Sequence, residues 1–240
     1  MAEPLTRIPK RIEAKILAAT NDKDGYIPMP NSYSITELVG CIRKTYYTKT
    51  NPKQIFDLAT AKNFYRGNLW DRDFCGCYPR NQVRVTYPCH NVPISISGHF
   101  DFINDDDPAN PIVTDLKSPK TSYYVKRENK PSEHYRRQVL FYCLCTAIPK
   151  GEIGYWDGND WLGFPVEATQ EAQQQLIEEL EAKTTALYFA LRNGKPPSKQ
   201  TANLESWECS YCSFSKTCAS EGQTKLTQEY KPTLLERTKQ

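Results

Sequence analysis

Residues Gly98–Ser118 read GHFDFINDDDPANPIVTDLKS, and the alternation within this stretch decides the fold class. A strand over Ile94–Ile103 turns Ile94, Ile96, Phe100 and Phe102 to one face and Ser95, Ser97, His99 and Asp101 to the other. Asn104–Pro111, with three successive aspartates and two prolines, is a turn or loop. The next strand covers Ile112–Ser118 and stops at Pro119. Val113, Asp115 and Lys117 share one of its faces, and Thr114 and Leu116 take the other. An acid, one spacer and a lysine therefore project side by side, with Asp101 one strand away. Two carboxylates so placed offer oxygen ligands to a hard cation such as Mg2+ or Mn2+. Such an ion lowers the pKa of a bound water and stabilises charge on a phosphoryl oxygen. Lys117 is placed to orient that water or to neutralise the phosphate.

Working outward, the pattern predicts a helix over Arg11–Ala19 and a loop over Asn21–Asn31. A second helix is opened by the capping box Ser34-Ile35-Thr36-Glu37 and carries Leu38, Cys41, Ile42 and Tyr46. A longer helix spans Ile55–Phe74, burying Phe56, Ala59, Phe64 and Leu69, and Gly67 interrupts it where something packs closely. Gln82–Tyr87 is a strand, Pro131–Ala147 a helix with Val139, Leu140, Cys143, Leu144 and Ala147 as its apolar face. Ile153–Trp156 and Trp161–Val166 flank the hairpin turn Asp157-Gly158-Asn159-Asp160. A helix from Thr169 to Arg192 turns Ala172, Leu176, Leu180, Leu187 and Leu191 inward and stops at Gly194. This order predicts an α/β (α+β) fold with one small mixed central sheet flanked by helices. No glycine-rich loop follows any strand, which excludes a doubly wound nucleotide-binding fold.

The 240 residues include 39% apolar and 12% aromatic side chains, enough for a core. They divide into an N-terminal arm over 1–31, a single domain over 32–220 and a flexible tail over 221–240. A net charge of +3 requires any nucleic-acid surface to be local. No apolar run approaches the roughly 20 residues of a membrane span. The N-terminus lacks a secretory pattern, so an intracellular protein is expected, with nine cysteines that are ligands or packing groups rather than disulfides.

The local patch lies between Lys117 and Arg137, where seven Lys or Arg stand against two Glu and are interleaved with tyrosines. Lys120, Lys126, Arg127, Arg136 and Arg137 suit phosphates and Tyr123 suits base stacking, a combination fitted to single-stranded DNA. His134, Gln138 and Tyr142 recur along one helix face, where the amide and the phenol can reach a scissile nucleotide. Cys209-x-x-Cys212-x5-Cys218 gives three close thiols, which with a distant fourth, Cys41, suit a [4Fe-4S] cluster; zinc is the alternative. Cys75, Cys77 and Cys89 read as packing groups or spare thiols, and Cys143 and Cys145 as buried in a helix.

Taken in order, Gly98–Asp101, Asp115–Lys117, Gln138–Tyr142 and Cys41 with Cys209, Cys212 and Cys218 resemble the RecB-like branch of the PD-(D/E)XK nucleases. Within it, the set is most similar to the CRISPR-associated exonuclease family called Cas four, across roughly residues 32–220. The family pattern has proline after the first cysteine, where this chain has Ile42. Where the family has a histidine four residues after a helix glycine, this chain has Asp71 after Gly67. Aspartate is also an oxygen donor, so the resemblance implies Asp71, Asp101 and Asp115 as metal ligands. Asp101, Asp115, Lys117, Gln138 and Tyr142 are then the catalytic set. It further implies a restriction-endonuclease-like sheet, a structural iron–sulfur cluster clamping the C-terminal tail to the N-terminal helix, and exonuclease action on single-stranded DNA. CRISPR integrase proteins are the partners it implies, for trimming fragments before their insertion. A repair or phage recombination nuclease of the same superfamily and a non-catalytic DNA-binding assembly subunit are the competing readings.

Overall fold

The computed structural model describes residues 8–21, 31–51, 57–119, 123–199 and 208–220. Its helices are α1 (Lys10–Asn21), α2 (Ile35–Val39), α3 (Ile42–Thr50), α4 (Leu58–Cys75), α5 (Tyr123–Glu128), α6 (Glu133–Thr146), α7 (Gln170–Asn193) and α8 (Ser215–Ser220). The strands are β1 (Ser32–Ser34), β2 (Arg84–Pro88), β3 (Ser95–His99), β4 (Phe102–Asn104), β5 (Ile112–Lys117), β6 (Lys150–Trp156) and β7 (Trp161–Glu167).

In place of the single central sheet expected from the alternation, the described strands form two mixed sheets. One has the order β1-β3-β2, with β1 parallel and β2 antiparallel to β3. The other runs β4-β5-β6-β7, with only the β5–β6 pair parallel. The segment Ile94–Ile103 supplies a strand to each, breaking at Phe100-Asp101. The sequence cannot signal this break, because apolar parity is preserved across it. Ile96, Phe100 and Phe102 are all buried, in different surroundings.

Helix α6 joins the two layers. It packs on β5, β6 and β7 of the second sheet and on β2 of the first. Six consecutive residues, Gln138–Cys143, are buried, so the helix is covered on all sides rather than along one stripe. Burying Val139, Leu140 and Phe141 contributes on the order of 1.5–3 kcal/mol each. Two glycines let the helix come so close. A Cβ at Gly98 would lie 2.6 Å from Tyr142 Cε1 and 2.7 Å from Ile35 Cγ2, and one at Gly151 would meet Val139 and, at 2.9 Å, Cys143 Sγ.

The capping box at Ser34 forms as read: Glu37 Oε2 accepts the Ser34 amide at 2.9 Å. Its helix is shorter than expected and ends at Gly40, so Cys41 takes the N-cap position of α3 instead of lying a turn inside that helix. In α4 the buried residues are Ala61 and Cys75; Ala59 and Phe64 are exposed, Phe64 by 47%, while Phe56 lies outside the described residues. The hairpin at Asp157–Asp160 joins β6 to β7, with Gly158 at φ 100°. Thr169 caps α7 and Gly194 closes it in the left-handed region, both where the residues predict.

The chain divides into two compact units, Met1–Asn203 and Leu204–Gln240. This boundary differs from the expected one at both ends. Helix α1 packs on α4, with Ile16 and Thr20 buried and Thr20 Oγ1 donating to Ala61 O at 3.4 Å, so the described part of residues 1–31 belongs to the first unit. The described part of the second unit is a 3-10 turn over Glu208–Tyr211 followed by α8; the expected tail at 221–240 lies outside the described residues. None of the described helices is long and apolar enough to cross a membrane.

Candidate active site

Asp101 sits where the chain passes from the first sheet to the second. Extending the β4–β5 register by one residue puts it opposite Asp115. Its side chain is held on both oxygens. Oδ2 accepts the Leu116 amide at 2.6 Å, and Oδ1 accepts Gln82 Nε2 at 3.0 Å. Gln82 also donates its backbone N–H to Asp101 O at 2.9 Å, and it does so from φ 47°, a conformation that costs a non-glycine residue energy. Asp101 is 9% exposed and Asp115 1%.

Asp115 Oδ2 is buried and forms no hydrogen bond of good geometry among the described residues, but it lies 2.5 Å from Lys117 Nζ as an ion pair. Lys117 is 20% exposed, and its ammonium stands 4.7 Å from the centre of the Tyr135 ring. Burial alone would lower the Lys117 pKa. Asp115 and Asp101 more than reverse that, and the lysine is held cationic above its usual range.

The carboxylates are pushed the other way. Burial, then the charge of Asp115, raises Asp101 to about 7. Asp71 on α4 is raised to about 6 by burial and by Asp115, against the pull of Lys117. Asp115 is raised by burial, with Lys117 opposing. Asp71, Asp101, Asp115 and Lys117 thus feel one another electrostatically. Three acids set against one lysine leave an excess of negative charge in a buried place. That oxygen-only donor set fits a hard divalent cation. Among the described residues, no three His, Cys, Asp or Glu side chains are gathered closely enough around one point to hold an ion.

Gln138 and Tyr142 are both buried, and Tyr142 lies within the electrostatic reach of Asp115, Lys117 and Asp101. Gln138 Nε2 donates to Tyr142 Oη at 2.7 Å, and Tyr142 is 1% exposed. Burial, then Asp115, raises the Tyr142 pKa, so its hydroxyl stays protonated. The expected phosphate-binding cations have carboxylate partners within the chain. Lys126 pairs with Asp160 at 2.5 Å, Arg127 with Glu128 at 3.5 Å, and Arg136 with Glu133 at 2.9 Å. Arg137 reaches both Glu133 and Glu179. Lys120 lies outside the described residues, and Tyr123 begins α5.

None of the nine cysteines, all of them described, forms a disulfide. Cys209 lies in the 3-10 turn, Cys212 directly follows it and Cys218 lies on α8, all in the second unit, whereas Cys41 is in the first. Cys77 is exposed, and Cys75, Cys89 and Cys143 are buried. Gln82, expected only as the start of a strand, holds Asp101, and Tyr135, expected among the rings of the basic run, stands over the Lys117 ammonium. Gln82 also donates to Cys75 Sγ at 3.7 Å. No local pattern marks them, because each contact crosses elements.

A family model described as the PD-(D/E)XK nuclease superfamily matches residues 56–219, more than half of the chain, and the chain belongs to that superfamily. Its members typically use a divalent metal such as Mg2+ or Mn2+. Among solved structures, the crystal structure of SSO0001 is similar with a TM-score of 0.64 at 17% identity, covering 90% of this chain and 98% of that one. Two structures of an alkaline exonuclease (LHK-Exo) from Laribacter hongkongensis, one in complex with dAMP, align with a TM-score of 0.48 at 12% identity, over 75% of this chain and 93% of theirs. The first of these likenesses shows a shared fold. Among curated proteins, none matches significantly.

Proposed function

We propose that this member of the superfamily is a metal-dependent deoxyribonuclease that degrades single-stranded DNA as an exonuclease, with Asp101, Asp115 and Lys117 as its catalytic core. The observation that carries the reading is the buried Asp115–Lys117 pair with Asp101 at the next register position. Asp101 and Asp115 would supply two carboxylates to a divalent ion, with Asp71 closing on it to complete the set, and the ion when bound would supply an activated water and offset charge on the phosphate. Lys117, kept cationic by its two acids, neutralises charge at the scissile phosphate. The Leu116 amide and Gln82 keep the Asp101 carboxylate from rotating. Tyr142 and Gln138 stiffen the floor of the site. The exposed pairs of Lys126 and Arg136 are weak, on the order of 0–1 kcal/mol, so their cations can exchange a carboxylate for a DNA phosphate.

Cys41, Cys209, Cys212 and Cys218 are proposed to bind a [4Fe-4S] cluster, supported by thiol chemistry and spacing. The resemblance that suggests the cluster also suggests fragment trimming beside CRISPR integrase proteins. The test is an assay on end-labelled single- and double-stranded DNA with and without Mg2+ or Mn2+. Release of short products from single strands only with metal supports the proposal; intact label under every condition sinks it and leaves a DNA-binding subunit. Iron and acid-labile sulfide at about four each per chain support the cluster; one equivalent of zinc and no iron replaces it.

A further inference from the structure

We propose that the face of the second sheet opposite the acids carries a nucleobase-binding site, selective for bases with an exocyclic amine. Strand β5 turns Asp115 and Lys117 to one face and Thr114 to the other. Behind Thr114, Phe102 and Glu152, its partners in register, is a cavity of about 400 Å3, within the size range of small-ligand sites. Its walls are flat rings. Tyr78 stacks on Phe102 at 4.4 Å with 4° between their planes, and Trp161, 42% exposed, lies over Gly154. Base–aromatic stacking is one way single strands are held, because every base has a flat face.

The polar groups choose among ligands. Glu152 Oε1 accepts Trp161 Nε1 at 3.1 Å, and Oε2 has no hydrogen bond among the described residues. Trp156 Nε1 is a buried donor with no partner among the described residues. A buried N–H without an acceptor is costly. Asn104 Oδ1 takes the Asp106 amide at 3.1 Å, which leaves its amide N–H2 to donate. A fitting ligand is therefore planar, with a donor edge for a carboxylate and acceptors for an indole and an amide. A lysine or arginine side chain would satisfy Glu152 and leave the Trp156 donor unmet; an alkyl group would satisfy neither. Cytosine, adenine and guanine present an exocyclic amine beside ring acceptors, and thymine does not. Glu152 and Asp106, the latter 3.3 Å from Tyr78 Oη, make the surroundings anionic, so the base enters while its phosphate stays outside.

The source of the base, a free nucleoside or a residue within a strand, is separated by experiment. Tryptophan fluorescence of the Asp115→Ala protein is titrated in EDTA with deoxycytidine, deoxyadenosine, thymidine and a trinucleotide of cytosines. Working without metal or cleavage keeps this test distinct from that of the nuclease reading. Saturable quenching by deoxycytidine and deoxyadenosine is expected, with thymidine weaker by about tenfold or more. Glu152→Gln, which keeps the shape and an acceptor for Trp161, weakens deoxycytidine by a similar factor. A trinucleotide that binds at least as tightly as the nucleoside assigns the site to DNA strands; a weaker one assigns it to free nucleosides. No saturable binding of any nucleoside, or equal affinity for thymidine, or no effect of Glu152→Gln, overturns the proposal.

Discussion

The two faces of β5 differ in what they ask of their surroundings. On one face Asp115 and Lys117 are buried against each other, within reach of Asp101 and Asp71, and their charges are expensive there. On the other, Thr114 backs a cavity walled by Phe102, Tyr78, Trp156 and Trp161, where stacking rather than charge dominates. The acid face is fixed by neighbours that hold the Asp101 and Asp115 carboxylates: the Leu116 amide, Gln82 and the ammonium of Lys117. The aromatic face leaves donors and acceptors open. A site that handles charge has to be built in advance. A site that stacks needs only flat walls and a few directional groups.

The sharpest way to break this contrast is at Asp115. Asp115→Ala is expected to lower metal-dependent cleavage by about 10^2- to 10^3-fold or more, on the scale of losing a group that stabilises transition-state charge. Thermal unfolding should still be cooperative, since Asp101 remains to offset the Lys117 charge. Retention of full activity would remove the acid face from the chemistry. Gly98→Ala comes next. Its methyl meets Tyr142 and Ile35 from two sides, so chemical denaturation should show a loss of about 1–3 kcal/mol from overpacking.

The pH response reports on the acid face. Asp71 and Asp101 have folded-state pKa values raised to about 6 and about 7, above the unfolded value of about 3.9. Between those limits the folded protein binds more protons than the unfolded one, so stability falls as pH rises from about 4 to about 7. In EDTA the melting temperature should drop over that range. Asp101→Asn should flatten the drop, and added Mg2+ or Mn2+ at pH 8 should reverse it. A melting curve indifferent to metal at pH 8 would mean the carboxylates are not a cation site. Gln82→Ala removes one of two bonds to Asp101, and a stability loss of about 1 kcal/mol with a smaller loss of cleavage is expected. Trp156→Phe, on the aromatic face, should change stability least, within about 1 kcal/mol, because it deletes a donor that has no partner among the described residues.

Much of this was legible in the chain. The caps at Ser34 and Thr169 and the turn at Asp157–Asp160 are local chemistry, set by residues within a few positions of one another. The Asp-x-Lys pair was legible too, because strand period alone puts Asp115 and Lys117 on one face. The exposure of Phe64 was not, since α4 meets its neighbours through Ala61 and through rings such as Trp70 and Phe74, which contact Trp156. Nor was the pairing of Arg136 with Glu133 or of Lys126 with Asp160, which turns a basic run into a set of ion pairs.

By itself, the sequence determined the α/β class, the strand that carries the acid and the lysine, and the helix that carries Gln138 and Tyr142, because parity and capping act over a few residues. Tertiary structure alone decided that Gly98–Ser118 crosses from one sheet to another at Asp101. It also decided that Asp71 shares the field of that site, and that Gln82, from another strand's approach, holds it. Those outcomes depend on which backbone groups come within hydrogen-bond reach when α6 is buried between the sheets, and on the dielectric that burial creates around three acids and one lysine.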